Sequence, residues 1–377
     1  MQDNVLKEQI QQDEVYMRKA LALAETARGR TNPNPMVGAL IVKDGVIVGE
    51  GWHHKAGTPH AEVHALRMAG EQAKGADIYV TLEPCSHYGK TPPCADAVVK
   101  AGLKRAVIAM QDPNPLVAGH GIEKLRSAGI EVKVGVCEQE AKALNEVFLK
   151  YIQTKRPFTV LKTAMTLDGK IATCSGKSQW ISNAESRQYV HQLRDEYDGI
   201  VTGIGTVLKD NPMLNTRLEN GEGHDPVRII LDSSLRIPEE SRIVQTARNQ
   251  RTIIACAPNP DASVKKVLEE AGIEILEIPQ TEYGLDLDVL MQELGKKEIC
   301  SLLIEGGSQL DASFLEAKQV DKVYWFIAPK IFGGTTAPGP IGGIGIDAVE
   351  QAVQIENSTY KFFGGDICMI GYPKYKK

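Results

Sequence analysis

Apolar positions along this chain follow two periods in turn. Between residues 13 and 28, Tyr16, Met17, Ala20, Leu23, Ala24 and Ala27 recur at the spacing of one helix face, and Gly29 and Pro33 stop the pattern. Val37 to Val48 then breaks into two short apolar runs around Lys43-Asp44-Gly45, which predicts a β-hairpin. His60 opens a second helical pattern through Val63, Leu66 and Met68 to Gly70. Ile78–Leu82 reads as a strand, with a loop or helix beginning at Pro84. A helix at Ala95–Lys100, a strand at Arg105–Met110, a helix at Gly121–Gly129 and a strand at Ile130–Val136 follow. Asn145–Arg156 has the pattern of a last helix, and Lys155-Arg156-Pro157 marks a linker.

Beyond it the alternation begins again. Strands are expected at Phe158–Ala164, Gly199–Thr202, Val227–Leu231, Thr252–Ala257, Ile299–Ile304 and Val323–Ala328. Helical patterns lie near 183–196, 262–272, 286–295 and 308–317, and there is no internal repeat or low-complexity tract. Strands alternating with helices predict α/β layers. A length of 377 residues suits two such domains, placed at residues 1–150 and 157–377.

Composition narrows the class. The net charge of −5 gives no pull toward nucleic acid or an anionic membrane. Seven cysteines without a short regular framework argue against a secreted disulfide scaffold. The N-terminus lacks a basic segment followed by an apolar run, and no apolar stretch approaches membrane-spanning length. A cytoplasmic protein with no membrane partner is the expectation.

The chemistry concentrates in the first half. His60-Ala61-Glu62, then Pro84-Cys85 and Cys94, supply one histidine, a carboxylate two residues on, and two cysteines. This is the ligand set of a zinc deaminase, in which His and two Cys hold the metal and a non-ligating Glu moves protons. Three ligands leave a fourth position for water, whose pKa the metal lowers. Thiolate suits zinc, whereas calcium or magnesium would need an oxygen cage. Both ligand segments fall where a strand hands over to a helix, and the positive end of a helix favours thiolate. His64 follows His60 by four residues, but a metalloprotease helix needs Glu directly after its first His, and Ala61 stands there.

The usual deaminase signature ends P-C-x-x-C. Here eight residues separate the cysteines, in Thr81-Leu-Glu-Pro-Cys-Ser-His-Tyr-Gly-Lys-Thr-Pro-Pro-Cys94. That run, with Thr31-Asn-Pro-Asn-Pro-Met-Val-Gly38, resembles the bacterial bifunctional riboflavin-biosynthesis deaminase/reductase family. Leu161-Lys-Thr-Ala-Met-Thr-Leu-Asp-Gly-Lys170 and Ser178-Gln-Trp180 extend the resemblance over nearly the whole chain. It implies a cytidine-deaminase-like three-layer α/β/α domain followed by a dihydrofolate-reductase-like α/β domain. The implied first reaction is hydrolytic deamination of 2,5-diamino-6-ribosylamino-4(3H)-pyrimidinone 5′-phosphate, with Glu62 as proton shuttle and zinc on His60, Cys85 and Cys94. The second is NADPH-dependent reduction of the ribosyl chain to ribityl, giving 5-amino-6-ribitylamino-uracil 5′-phosphate.

The resemblance also implies site residues. Asn34, His53, His87, Lys90, Asp112 and Asn114 would contact the deaminase substrate. NADP would lie near Ala164, Trp180, Thr206, Asp210 and Ser233, and along Gly307, Ser308, Gln309, Leu310, Asp311, Ala312 and Ser313. Lys162, Ser178, Arg194, Leu214, Arg217 and Glu305 would meet the reductase substrate, with Lys162 and Asp210 as candidate polar groups at the reacting carbon and the two arginines suited to phosphate. Gly203-Ile-Gly205 lacks the third glycine of a Rossmann fingerprint and reads equally as a strand end and tight turn. Leu302–Ser308, a strand, a glycine pair and a helix start, is the stronger phosphate signal. A homo-oligomer acting on small pyrimidine nucleotides, with no nucleic-acid partner, is expected. A nucleic-acid deaminase would share the zinc set but would want a basic, aromatic groove. A degenerate binding protein would not need all four zinc-site residues intact.

Overall fold

The structure is a computed structural model describing residues 2–86, 93–114 and 118–376, with side chains from residue 7 onward. It divides into two compact units, Met1–Lys155 and Arg156–Lys377.

The first unit runs α1 (Gln2–Glu25), β1 (Gly38–Lys43), β2 (Val46–Trp52), α2 (Ala61–Ala69), β3 (Asp77–Val80), α3 (Cys94–Lys100), β4 (Arg105–Ile108), α4 (His120–Ser127), β5 (Glu131–Val134), α5 (Glu138–Leu144) and α6 (Glu146–Thr154). Its five strands lie in the order β2-β1-β3-β4-β5. β1 is antiparallel to β2 and β3, and β3, β4 and β5 are parallel. The predicted hairpin turns at Asp44 and Gly45, both with positive φ (50° and 79°), as a tight turn matched to strand twist requires. In β1 the consecutive residues Ala39, Leu40 and Ile41 are all buried, so both faces of the sheet are covered.

α1 begins well before the expected residue 13. Residues 7–12 are polar or exposed all round, so that part of the helix carries no apolar stripe to read. Where the stripe starts, Asp13 enters the core. Its carboxylate accepts two bonds from Arg105 (2.9 and 2.7 Å), one from Lys133 (2.9 Å) and one from the Tyr79 hydroxyl (2.9 Å). One acid thereby ties α1 to β3, β4 and β5. Burial alone would raise its pKa, but these bonds outweigh it and hold the carboxyl at about 2.

The second unit runs β6 (Phe158–Thr166), α7 (Ala184–Glu196), β7 (Gly199–Gly203), α8 (Ile204–Asp210), β8 (Val227–Leu231), α9 (Arg242–Gln245), β9 (Thr252–Cys256), α10 (Ala262–Glu270), β10 (Glu274–Glu277), β11 (Gln280–Thr281), β12 (Gly284–Leu285), α11 (Leu287–Lys296), β13 (Ser301–Ile304), α12 (Ser308–Glu316), β14 (Lys322–Ala328), β15 (Gln354–Phe363) and β16 (Asp366–Lys374). Nine strands form one sheet, β10-β9-β8-β7-β13-β6-β14-β16-β15. The first seven in that order are parallel, and β16 and β15 close the edge antiparallel. The parallel strands are short apolar runs buried on both faces, such as Leu302-Leu303-Ile304 and Ile253-Ile254-Ala255. β7 passes directly into α8, where a strand end and tight turn were expected. β15 has no counterpart in the sequence reading: nearly every residue in it is exposed, so it lacks the buried alternation that marks a strand.

Replacing Asp13 by Ala should destabilise the first unit by about 2–4 kcal/mol, because Tyr79, Arg105 and Lys133 lose the buried acceptor they share and Arg105 keeps only its longer contacts to Asp77 (3.6 Å) and Glu131 (3.3 Å). Because the folded pKa lies below the unfolded one, the Asp13 contribution is complete above about pH 4 and is lost as pH falls toward 2. Urea denaturation at pH 7 and pH 3 should show the difference between parent and variant shrinking at the lower pH. An unchanged midpoint at pH 7 would contradict the clamp.

Candidate functional site

Two helix starts create the first site. His60 stands immediately before α2 in extended conformation, and Cys94 is the first residue of α3, after Pro93. Close packing carries α2 there. A Cβ on Gly49 would lie 2.3 Å from the Ala65 carbonyl oxygen, and one on Gly51 would lie 2.5 Å from the His64 Cβ and 2.6 Å from the Ala61 oxygen. Glycine in β2 thus lets the helix backbone sit directly on the strand.

The His60 Nδ1 lies 3.1 Å from Cys94 Sγ and 3.5 Å from Cys85 Sγ. All three atoms fall within 4.8 Å of one another. Zinc bonds of about 2.0–2.3 Å arranged tetrahedrally place ligand atoms roughly 3.5 Å apart, so the set fits that ion. The charge state fits it too. The Cys94 backbone N–H donates to Cys85 Sγ at 3.3 Å. A hydrogen bond from the Cys94 thiol, with His60 nearby, lowers the Cys85 pKa to about 4 despite burial. The Cys94 thiol is pushed up by that same bond and by burial, since two thiolates this close repel. A dication between them is what would let both ionise.

Glu62, in the first turn of α2, is buried, and burial raises its pKa to about 7, with the Cys85 charge adding to the rise. A carboxyl poised there can both accept and return a proton at neutral pH. His53 is buried, its ring edge-on to that of His60 with centroids 5.3 Å apart. Asn34 Nδ2 lies 3.1 Å from His53 Nε2, and His53 Nδ1 lies 3.3 Å from the Pro59 oxygen. The consistent tautomer has Nδ1–H donating to Pro59 and Nε2 accepting from Asn34. Burial lowers the His53 pKa, which favours that neutral ring. Asp112 is buried after β4, and its Oδ1 accepts the Asn114 N–H at 2.8 Å. His87 and Lys90 lie outside the described residues. His54 is exposed and stacks on His64 at 4.6 Å.

The second unit gathers a charged cluster where the middle of β6 lies beside the end of β13. Glu305 accepts from Arg194 Nε (2.6 Å) and Nη2 (3.0 Å) and from Lys162 Nζ (3.3 Å). Burial would raise the Glu305 carboxyl, but the two cations hold it at about 2. Arg194 was expected as a phosphate fork. Here that fork is closed on Glu305, with its third arm on the Asn215 oxygen, because a guanidinium this buried needs a counter-charge. Arg217 is exposed, next to the ring of His191, whose pKa falls to about 4 through burial and the two nearby arginines. Leu214 is buried with φ 52°.

A cavity of about 1110 Å³ opens at the carboxyl ends of β7 and β8, the edge where α/β sheets bind ligands. Ser233, Gln309, Leu310 and Ser313 line it, and Gly307 and Ser308 begin α12 beside it. Asp311 and Ala312 are buried in the same helix, and burial pushes the Asp311 carboxyl up to about 8. Thr206 and Asp210 lie on α8, whose first residues, Ile204 and Gly205, line the cavity; Ala164 lies on β6. Trp180 is 61% exposed with the Arg187 guanidinium over its ring, and Ser178 precedes it, half-buried. The sequence reading missed Tyr283 and Leu285, on the β11–β12 hairpin, and Ile344 as lining residues. It also missed Glu83, two residues before Cys85.

Comparison with known proteins agrees in both halves. Residues 157–369 match the family model "RibD C-terminal domain", and residues 10–110 match "Cytidine and deoxycytidylate deaminase zinc-binding region". The riboflavin biosynthesis protein RibD of Actinobacillus pleuropneumoniae is 48% identical over 354 residues, 94% of this chain and 93% of that protein. A solved structure of Acinetobacter baumannii RibD superposes with a TM-score of 0.87 at 40% identity, covering 97% of this chain and 99% of that one. The diaminohydroxyphosphoribosylaminopyrimidine deaminase/5-amino-6-(5-phosphoribosylamino)uracil reductase of Thermotoga maritima gives 0.85 at 38% identity, covering 97% and 100%.

Two kinds of substitution should separate metal binding from proton transfer. Cys85→Ser or Cys94→Ser should lower zinc content measured by elemental analysis, whereas Ser in place of Cys137, Cys174, Cys256, Cys300 or Cys368 should not. Glu62→Gln should keep its zinc yet lose deamination by about 10²–10⁴-fold, since an amide cannot accept the proton. Full zinc in either cysteine variant would remove that residue from the ligand set.

Proposed function

The chain belongs to the RibD family of bifunctional riboflavin-biosynthesis deaminase/reductases, and from that premise we propose the substrates, cofactors and residues of its two reactions. The first is release of ammonia from 2,5-diamino-6-ribosylamino-4(3H)-pyrimidinone 5′-phosphate. The observation that carries it is the convergence of His60 Nδ1 and the two cysteine sulfurs beside a buried Glu62. Zinc, when bound, supplies a Lewis acid with an open position that makes water acidic near neutral pH. Glu62 takes the proton of the attacking water and returns protons to the ring and the departing amine. Its burial brings its proton affinity close to neutral pH, so the proton taken from water is kept for the ring and the amine and not readily lost to solvent. Asn34 and His53, locked to each other, orient the pyrimidinone, together with Asp112, Asn114, His87 and Lys90.

The second reaction is reduction of the ribosyl group of the deaminated nucleotide. NADPH, when bound in the cavity at the strand ends, supplies the hydride. The start of α12 turns backbone N–H groups of Gly307 and Ser308 toward its phosphates. Ala164, Trp180, Thr206, Asp210, Ser233 and residues 309–313 complete that site. Lys162, steadied by Glu305, is placed to hold a polar substituent at the reacting carbon. Ser178, Leu214 and Arg217 take the sugar phosphate, with Arg217 as the exposed cation, while Arg194, closed on Glu305, holds that carboxylate at the substrate's edge.

No described helix is long and apolar enough to cross a membrane, and we place the enzyme in the cytoplasm. The long β15 edge, with exposed Tyr360 and Phe362, is the surface we assign to a second copy of the chain. The two reactions should be separable, with the boundary near residues 155–157.

A zinc chelator should abolish ammonia release from the diamino nucleotide by the full-length enzyme. It should leave NADPH oxidation on the deaminated nucleotide unchanged. Ammonia assay and absorbance at the NADPH band follow the two reactions separately. Reduction that fails with chelation would contradict two independent sites, and absence of ammonia release by the zinc-loaded enzyme would overturn the deaminase reading.

A further inference from the structure

Glu83 is a buried carboxylate that neither reaction has used. Four backbone N–H groups point at it. Oε2 accepts from Asp112 (3.2 Å) and Gly119 (3.0 Å), and Oε1 accepts from Gly121 (2.9 Å) and Ile122 (3.2 Å). These donors flank residues 115–117 on both sides. Gly121 and Ile122 lie in the first turn of α4, where N–H groups have no partner inside the helix. The residue before that helix is Gly119, which has no side chain to cap it. Glu83 therefore supplies from a distant strand end the cap that the local sequence lacks, and its negative charge suits the positive end of the helix.

The same side chain stands two residues before Cys85. Its backbone N–H donates to the Met110 oxygen at 3.0 Å, which joins the ligand turn to the end of β4. Packing is as close as the hydrogen bonding: a Cβ on Gly121 would lie 2.0 Å from the Pro84 oxygen and 3.2 Å from Glu83 Oε1. The first turn of α4 thus rests directly on the peptide that leads into Cys85. One carboxylate joins the turn bearing a metal ligand to the segment bearing Asp112 and Asn114.

We propose that Glu83 is a positioning residue of the deaminase site, setting how closely the Asp112–Asn114 segment approaches the His60–Cys85–Cys94 centre and so how tightly the pyrimidine nucleotide is held. This rests on the reading of Asp112 and Asn114 as substrate contacts. Glu83 moves no proton and touches no metal. Its carboxylate uses both oxygens, two donors on each, which a side-chain amide cannot reproduce, since one of its two ends is itself a donor. The requirement is therefore for a carboxylate and not only for a group of that size.

Two variants of the full-length enzyme test it by different routes. Glu83→Gln keeps the volume and removes the acceptor that serves one pair of N–H groups. Gly121→Ala leaves the carboxylate intact and forces the first turn of α4 off Pro84. Both should retain about one zinc per chain and unchanged reduction of the deaminated nucleotide. Their deamination kcat/KM should fall by ~10- to 100-fold, carried mainly by KM, since displacing a substrate-positioning group by about 1 Å has effects of that order. Hydrogen exchange should speed up at the amides of Asp112, Gly119, Gly121 and Ile122 in Glu83→Gln. Unchanged KM and unchanged exchange with zinc retained would overturn the proposal. So would zinc loss in step with activity, which would make Glu83 a support of the ligand turn alone. If the parent enzyme releases no ammonia from the nucleotide, the functional reading fails and the proposal with it. Unaltered exchange in Glu83→Gln, by contrast, sinks the proposal while the functional reading stands.

Discussion

Everything in the deaminase half depends on bringing the starts of two helices, α2 and α3, to one point. A metal site of three ligands needs its donor atoms a few ångströms apart, and here one comes from a residue ahead of α2, one from the first residue of α3, and one from the turn between β3 and α3. That convergence needs α2 to lie against β2 at backbone distance, which Gly49 and Gly51 allow and any larger residue would prevent. The opposite side of the sheet is held in the same manner, since a Cβ on Gly38 would come 2.0 Å from the Ala20 oxygen of α1. Dense packing then makes the site rigid, because a core at crystal-like density does not deform by small amounts.

The two halves use the same side chain in opposite electrostatic settings. Glu62 is surrounded by apolar burial and a neighbouring thiolate, so its proton is retained until about pH 7. Glu305 is largely but less completely buried and is flanked by Arg194 and Lys162, so it stays ionised to about pH 2. The first environment suits a proton carrier, and the second fixes an anchor for two cations. Neighbouring charge, more than depth of burial, separates them. Asp13 belongs with Glu305: an ionised buried acid whose role is to hold other elements in place.

Much of this was legible in the chain. His60, Glu62, Cys85 and Cys94 stood out because zinc hydrolysis needs those residue types in that order, and the strand–helix alternation placed them at element boundaries. The hairpin at Asp44-Gly45 and the parallel strands of the second unit other than β10 were readable because turn chemistry and short apolar runs are local signals; β10, Glu274–Glu277, begins and ends on glutamate and was not. Elements without an apolar pattern were not: the polar start of α1, with residues 7–12 exposed, and β15, exposed along nearly its whole length.

What the sequence by itself determined is the kind of chemistry on offer: the residue types of the candidate metal set, the carboxylate beside it and the succession of two α/β units. These follow from residue identity and from periods of two and 3.6, both carried by neighbours along the chain. Only the tertiary structure decided which groups meet and in what charge state. Glu83 and Ile122 are 39 residues apart and bonded, Asp13 and Arg105 are 92 apart, and Arg194 and Glu305 are 111 apart. A side chain's pKa, and whether a guanidinium faces a phosphate or an internal carboxylate, depend on distances through space in a medium of low dielectric. No local pattern encodes those distances, because they are set by how whole sheets and helices pack.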